Sequence, residues 1–211
     1  MNYIYSILGV GNIGRLSNSF KETFKSGIRD NQYFNSSYDT GHLMPSADAI
    51  FPVWQKETYY LNNAKPQKPA FNRGAWRVLE LGVRKEAIAL MQTFEVYTGA
   101  FDLIGHLNKD LQLIEVHKFW YKIVKEKNRL MRRIVFIGCN DEQINCITEL
   151  ASICRNICEE TRWLSNTVKD KIICCSLDDF YKSGKVTKIP ETEGFNNVLI
   201  SFQWGVPAAG A

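Results

Sequence analysis

The stretch "YDTGHLMPSAD", residues 38–48, sets Asp39, a Thr-Gly pair, His42, Pro45 and Asp48 close together. That mixture suits neither a core strand nor a core helix and reads as a glycine turn presenting an imidazole. A single histidine is more often a satisfied structural group than a base, so its meaning depends on what the chain sets beside it. Asp39 and Asp48 read as turn-forming, hydrogen-bonding residues rather than ligands.

Outward from that stretch, "LNNAKPQ" at 61–67 forms a second polar loop, and "NRGAWRVLELGVRKEAIALMQ" at 72–92 follows it. In the latter, Trp76, Leu79, Val83, Ala87 and Leu90 recur at steps of three and four, the apolar stripe of an amphipathic helix. "KPQKPAF" just before it holds two prolines and is expected to be irregular, which starts the helix at Asn72, a favoured N-cap residue.

Beyond the helix the β-branched and aromatic runs 93–99, 111–117, 119–124 and 132–138, separated by turns such as "NKD", predict antiparallel strands of one sheet. A second helix is expected over "EQINCITELASICRNICEE", then a short strand at "KIICC" and a helical turn at "LDDFYKS". The class is α+β, with helices packed on a mixed or antiparallel sheet. No repeat or linker divides the 211 residues, which suit one large domain over 38–211 preceded by an N-terminal segment, 1–37, possibly truncated and polar from residue 15 onward.

Hydrophobic residues at 45% and charged residues at 23% fit a globular protein and argue against disorder. Apolar runs are too short to span a bilayer, so no membrane partner is expected. "MNYIYSILGVGNIG" lacks a basic start and a small-residue cleavage site, and does not read as a signal peptide. The net charge of +4 suits a polyanionic partner, and Lys65, Lys68, Arg73, Arg77, Arg84 and Lys85 fall together. All six cysteines, Cys139, Cys146, Cys154, Cys158, Cys174 and Cys175, lie in the last third, consistent with a disulfide framework from an oxidising compartment. Reduced cytosolic thiols are the alternative, and adjacent Cys174 and Cys175 need separate partners.

Hydrolysing a phosphodiester needs a base for water, a cation for the leaving oxygen and groups that hold the phosphate in line. Imidazole suits the first task at neutral pH, and Asn and Glu oxygens suit a hard ion such as Mg²⁺. On an ideal helix Asn72 and Glu80 stand about 12 Å apart in rise and about 80° in rotation. Both cannot easily ligate one ion directly. With Asn72 in the inner position, Glu80 accepts a hydrogen bond from the ion's water, while the helix N-terminus offers N–H groups to phosphate.

At these residues the chain resembles the DNA/RNA non-specific endonucleases with a ββα-metal (His-Me finger) site, the family that includes endonuclease G. The motifs that carry the resemblance are "DTGHLMPSAD" (39–48), "NAKPQ" (63–67) and "NRGAWRVLE" (72–80), in family order and spacing. It continues more weakly through "VYTG", "FWYKIV" and "RRIVFIGCN". "ICRNIC" and "CC" look like the cysteine-bearing end of the secreted arthropod branch, described as double-stranded-RNA nucleases. Cys154, Cys158, Cys174 and Cys175 are the disulfide candidates.

The resemblance implies a ββα nuclease fold with a mainly antiparallel sheet. It implies His42 as general base, Asn72 as the protein ligand of one Mg²⁺ or Mn²⁺, and Glu80 and Asn63 as further catalytic-site residues. DNA and RNA are the implied partners, cut with little sequence preference to leave 5′-phosphate ends. Thr40, Lys65, Gln67, Arg73 and Arg77 are the implied substrate-binding set. An extracellular location follows from the branch and a mitochondrial one is the alternative; the oligomeric state stays open, a homodimer included. The chain departs from the family at Thr40, which stands where the motif has arginine, a permanently charged bidentate donor. A relative that binds nucleic acid without cutting it is therefore the alternative function, and Arg15 and Arg29 are the candidates for a further arginine that the family uses upstream of the motif. His106 and His117, read as loop and strand residues, receive no role.

Overall fold

The computed structural model describes the backbone of residues 3–7 and residues 36–108, 113–127, 132–141, 146–163 and 171–189. Most of the polar segment 15–37, Arg15 and Arg29 within it, the tip of the "NKD" turn and the first residues of the second helix, 142–145, lie outside the described residues.

An antiparallel sheet of order β1-β4-β5-β6-β7 is built from β1 (Tyr3–Ile7), β4 (Phe94–Asn108), β5 (Leu113–Glu126), β6 (Arg133–Cys139) and β7 (Ile172–Cys175). The runs 111–117 and 119–124, expected as two strands, join in β5, and β4 runs on past "TFEVYTG" far enough to include His106, which is a strand residue rather than a loop one. Long antiparallel pairing from Phe94↔Glu126 to Asn108↔Leu113 satisfies the backbone continuously, so no turn is needed at Lys118. The register shifts between Leu103 and Gly105, and Asp102 just before the shift takes φ 57°.

Both faces of this sheet are covered. On one, Trp76, Leu79, Val83 and Ala87 pack against Phe94, Val96, Trp120, Val124 and Phe136. On the other, Leu150 and Phe180 pack against Tyr97, Tyr121, Ile123, Val135 and Ile137. Every residue of β6 is buried, as a strand covered on both sides must be.

A two-stranded ribbon, β2 (Asp39–His42) with β3 (Ala64–Gln67), stands apart from the large sheet. His42 therefore ends a strand and is not in a glycine turn. "KPQ", expected to be irregular, belongs to β3, whose Pro66 is tolerated because the ribbon is only two strands wide. Gly41 is required here: a Cβ would run into the Gln67 side chain packed against it. Between the two strands lie a 3₁₀ turn (Ser46–Asp48), helix α1 (Pro52–Glu57) and a second 3₁₀ turn (Leu61–Asn63).

The stripe helix is α2 (Arg77–Leu90), entered through a π-helical turn at Phe71–Trp76 that is kinked at Gly74. Helical backbone already begins at Pro69, and the Asn72 N–H donates to Lys68 O at 2.9 Å. Asn72 is consequently not an N-cap, and no free helix N-terminus for phosphate exists beside it. Proline at the first helical position explains the earlier start.

The second helix is broken into α3 (Cys146–Ile153) and α4 (Cys158–Thr161), followed after β7 by α5 (Leu177–Lys182), which Ser176 caps by accepting from Asp179 N–H at 3.1 Å. Disulfides join Cys139 to Cys146, Cys154 to Cys175 and Cys158 to Cys174, with no free cysteine among the described residues. The reduced-thiol alternative is thereby set aside, and the framework uses Cys139 and Cys146 as well as the four candidates. Ribbon then helix make a ββα unit on an α+β body. Among the described residues, no helix is long and apolar enough to cross a membrane.

Candidate active-site cleft

His42, Pro45, Ser46, Ala47, Asn72, Arg77, Glu80 and Arg84 line one cleft of about 200 Å³. Its walls are the end of β2 with the turn that follows, and the face of α2 on which Arg77, Glu80 and Arg84 recur at steps of three and four. The π-helical turn fits one more residue per turn than an α-helix, so the separation calculated for an ideal helix does not apply, and Asn72 and Glu80 reach the same cleft.

His42 meets Tyr59 edge-on at 4.8 Å between ring centroids, and its Nε2 has no hydrogen-bond partner among the described residues. Burial, reinforced by the Lys122 charge, holds its pKa below 6.5, so the imidazole is neutral at pH 7 and able to accept a proton. Asn72 Nδ2 donates to Asp39 Oδ2 at 3.0 Å, which fixes the amide and leaves Oδ1 without a hydrogen bond among the described residues. Asp39 also takes Arg73 through both oxygens, Nε–Oδ2 at 2.8 Å and Nη2–Oδ1 at 2.6 Å. Although burial pushes Asp39 upward, the hydrogen bonds from Arg73 and Asn72 hold its carboxyl below the usual range.

Glu80, with a side chain 14% exposed, is pushed up to about 7 by burial, against the opposing pull of Lys122 Nζ 3.9 Å away. Asp48 lies under the cleft wall and is bound by Arg84 Nη1 at 2.7 Å, a strand-following turn residue paired across to the helix. The donor set is a single free amide oxygen and a carboxylate. No group of three or more His, Cys, Asp or Glu side chains able to hold a metal exists among the described residues. One hard oxygen ligand from the protein fits Mg²⁺, which keeps most of its waters, and fits no soft or fully protein-caged ion.

The expected site residues thus separate. His42, Asn72, Glu80 and Arg77 converge on the cleft. Asn63 and Gln67 do not: Asn63 is 1% exposed and its amide binds Met44 N, Met44 O and Thr58 O at 2.8–2.9 Å, while Gln67 is 0% exposed beneath Gly41. Thr40, opposite Pro66 in the ribbon, does not line the cleft either. Lys65 is paired with Glu115 at 3.4 Å and Arg73 with Asp39, so neither guanidinium nor ammonium is held ready for phosphate. Two residues that pattern reading did not place in the site belong to it: Arg84 lines the cleft, and Lys122 lies behind it. The i, i+4 step from Glu80 to Arg84 was the available signal for the first. A lysine within a strand of core type was the signal for the second.

The sequence model of the DNA/RNA non-specific endonucleases matches residues 14–171. Salivary protein Tsal1 of Glossina morsitans morsitans is 28% identical over 174 residues, 75% of this chain and 42% of that protein. A salivary endonuclease of Lutzomyia longipalpis is 25% identical over 209 residues, 90% of this chain and 50% of that one. A mitochondrial nuclease of Saccharomyces cerevisiae is 41% identical over 81 residues, 35% of this chain and 24% of the yeast protein. The chain spans half or less of the length of each of these relatives.

Proposed function

The chain belongs to the DNA/RNA non-specific endonuclease family, and we propose accordingly that it hydrolyses phosphodiester bonds of DNA and RNA with little sequence preference. The observation that carries this reading is the convergence of a neutral imidazole whose Nε2 has no hydrogen-bond partner among the described residues, an amide oxygen likewise without one, and a carboxylate on one cleft that also holds Arg77 and Arg84.

In this reading His42 takes a proton from a water whose oxygen attacks phosphorus. The bond to the 3′ oxygen breaks, that oxygen is protonated from solvent, and a 5′-phosphate and a 3′-hydroxyl remain. Asn72 Oδ1 would hold Mg²⁺ or Mn²⁺, which when bound supplies Lewis-acid stabilisation of negative charge on the phosphate and leaving oxygen. Glu80, ionised, accepts a hydrogen bond from water in the cleft and orients it. Asp39 keeps the Asn72 amide turned with its oxygen toward the cleft. Asn63 positions the chain beyond His42 without touching substrate. Arg77 neutralises a backbone phosphate, a contact that carries no base identity and so favours a non-specific enzyme, while Arg84 is held by Asp48 in the cleft wall.

Thr40 brings no charge to the position where the family has arginine, which is the observation favouring a binder that does not cut. Arg77, which lines the cleft, weighs against it. Disulfides, together with relatives named as salivary proteins, support secretion; the yeast relative keeps a mitochondrial location as the alternative. Plasmid DNA and long double-stranded RNA incubated with Mg²⁺ test the reading. Cleavage abolished both by EDTA and by His42→Ala is the expected result, while a mobility shift without product refutes the enzyme and supports the binder.

A further inference from the structure

Lysine is almost never fully buried unless it is paired. Lys122, in the middle of β5, is 1% exposed, and its ammonium has partners on both walls of the cleft. It donates to Leu43 O at 3.2 Å and to Thr98 Oγ1 at 3.0 Å, stands 3.9 Å from Glu80 Oε1, and lies 5.2 Å from the Trp76 ring centroid. Leu43 is the residue after His42, so one cation anchored in the large sheet reaches both the strand end bearing the imidazole and the helix bearing the carboxylate.

We propose that Lys122 is a positioning residue of the cleft: it ties the His42 strand end to the sheet and sets one buried cation beside both the imidazole and the Glu80 carboxylate. The proposal rests on the roles given to His42 and Glu80 above.

The charges facing these groups make the direction definite. Glu80 faces Lys122 from β5, Asp48 from the 3₁₀ turn and Arg84 from its own helix; Asp48 opposes its ionisation and the two cations favour it. His42 faces Lys122 as its charged neighbour and the Tyr59 ring edge-on. Lys122 itself faces Glu80 and Asp48, which favour its charge, and Arg84, which opposes it. Removing the ammonium therefore makes deprotonation harder at both His42 and Glu80. An opposite charge within ~4–6 Å moves a carboxylate by about 1–3 pH units.

The test compares Lys122→Met and Lys122→Gln, which remove the charge, with Lys122→Arg, which keeps it. In metal-free protein without substrate, NMR titration of His42 is expected to move upward by about one unit in a folded neutral variant. The acid limb of the kcat/KM profile, set by Glu80, also moves to higher pH, and Lys122→Arg returns both close to wild type. A folded neutral variant in which neither quantity moves overturns the proposal, as does an arginine variant that shifts as far as methionine does. Should neither neutral variant fold, Glu80→Gln decides: the titration midpoint of the Lys122 amine falls by about one unit if the two groups are electrically joined, and an unmoved midpoint overturns the proposal. A wild-type protein that cuts nothing refutes the nuclease reading alone, because both NMR titrations still judge Lys122.

Discussion

Replacing Asn63 with alanine removes three hydrogen bonds at once: Met44 N–H to Oδ1 at 2.9 Å, Nδ2 to Met44 O at 2.9 Å and Nδ2 to Thr58 O at 2.8 Å. At 1% exposure, water does not take their place, and the Met44 N–H is left with no partner from this side chain. Three bonds at about 1 kcal/mol each, with an added penalty for the stranded donor, sum to roughly 3–5 kcal/mol. That is a large part of the ~5–15 kcal/mol that holds an ordinary domain together. In urea unfolding with disulfides intact, a slope of ~2–3 kcal/mol/M converts the loss into a midpoint lower by about 1 M or more, with the slope unchanged. Turnover falls as well, because Met44 is two residues from His42 and a displaced base costs on the order of 10²-fold in rate. Asn63→Asp keeps one acceptor but loses both donations and buries a charge, and is expected to be no better than alanine. A midpoint within about 0.3 M of wild type, roughly 1 kcal/mol by the same slope, with turnover unaltered, refutes the reasoning.

Three other outcomes follow from the same geometry. Because burial raises Glu80 to about 7 and depresses His42 below 6.5, the acid limb of activity belongs to Glu80: rate falls as pH drops through about 7, and in Glu80→Gln the remaining activity loses that limb. The same raised carboxyl adds to stability below pH 4.5 and withdraws that contribution as pH rises to about 7, a trend that a melting series across this window in wild type and Glu80→Gln resolves. Thr40→Arg, restoring a guanidinium to the ribbon, raises turnover by an amount of order 10-fold to 10²-fold, and an equal rate in a folded variant refutes a need for charge at that position. Thiol titration of unreduced, denatured protein finds no reactive cysteine out of six, and reduction lowers the melting temperature, each native bridge being worth ~2–5 kcal/mol.

What pattern reading recovered and what it missed have physical reasons. The stripe Trp76, Leu79, Val83, Ala87 was legible because one face of α2 does nothing but pack. The start of that helix was not, because Asn72 has a good cap's chemistry, yet Pro69 opens the helix earlier and a π-helical turn carries Asn72 inward toward Asp39. Composition predicts two strands where β5 is continuous, since it is blind to a partner strand long enough to pair with both. The α3–α4 break follows from bridges formed by Cys154 and Cys158, a constraint that helical periodicity does not report. Among site residues, those of the motifs separate into groups that touch the cleft and groups that hold it, and sequence spacing does not distinguish them: Asn63 and Asn72 are both motif asparagines, one wholly occupied with backbone and one with a free oxygen. Lys122 was the least legible, because its importance lies in burial.

The adjacent cysteines at the end of the large sheet have a consequence for assembly. Side chains alternate along β7, so Cys174 joins Cys158 in one core and Cys175 joins Cys154 in the other, while Ile157 N–H binds Cys174 O along the outer edge. A slip of β7 by one position would exchange the two sulfurs between faces and leave neither opposite its mate. The pair of bridges thus works as a parity check, closing only on the correct alignment and then sealing the margin of the sheet against any foreign strand.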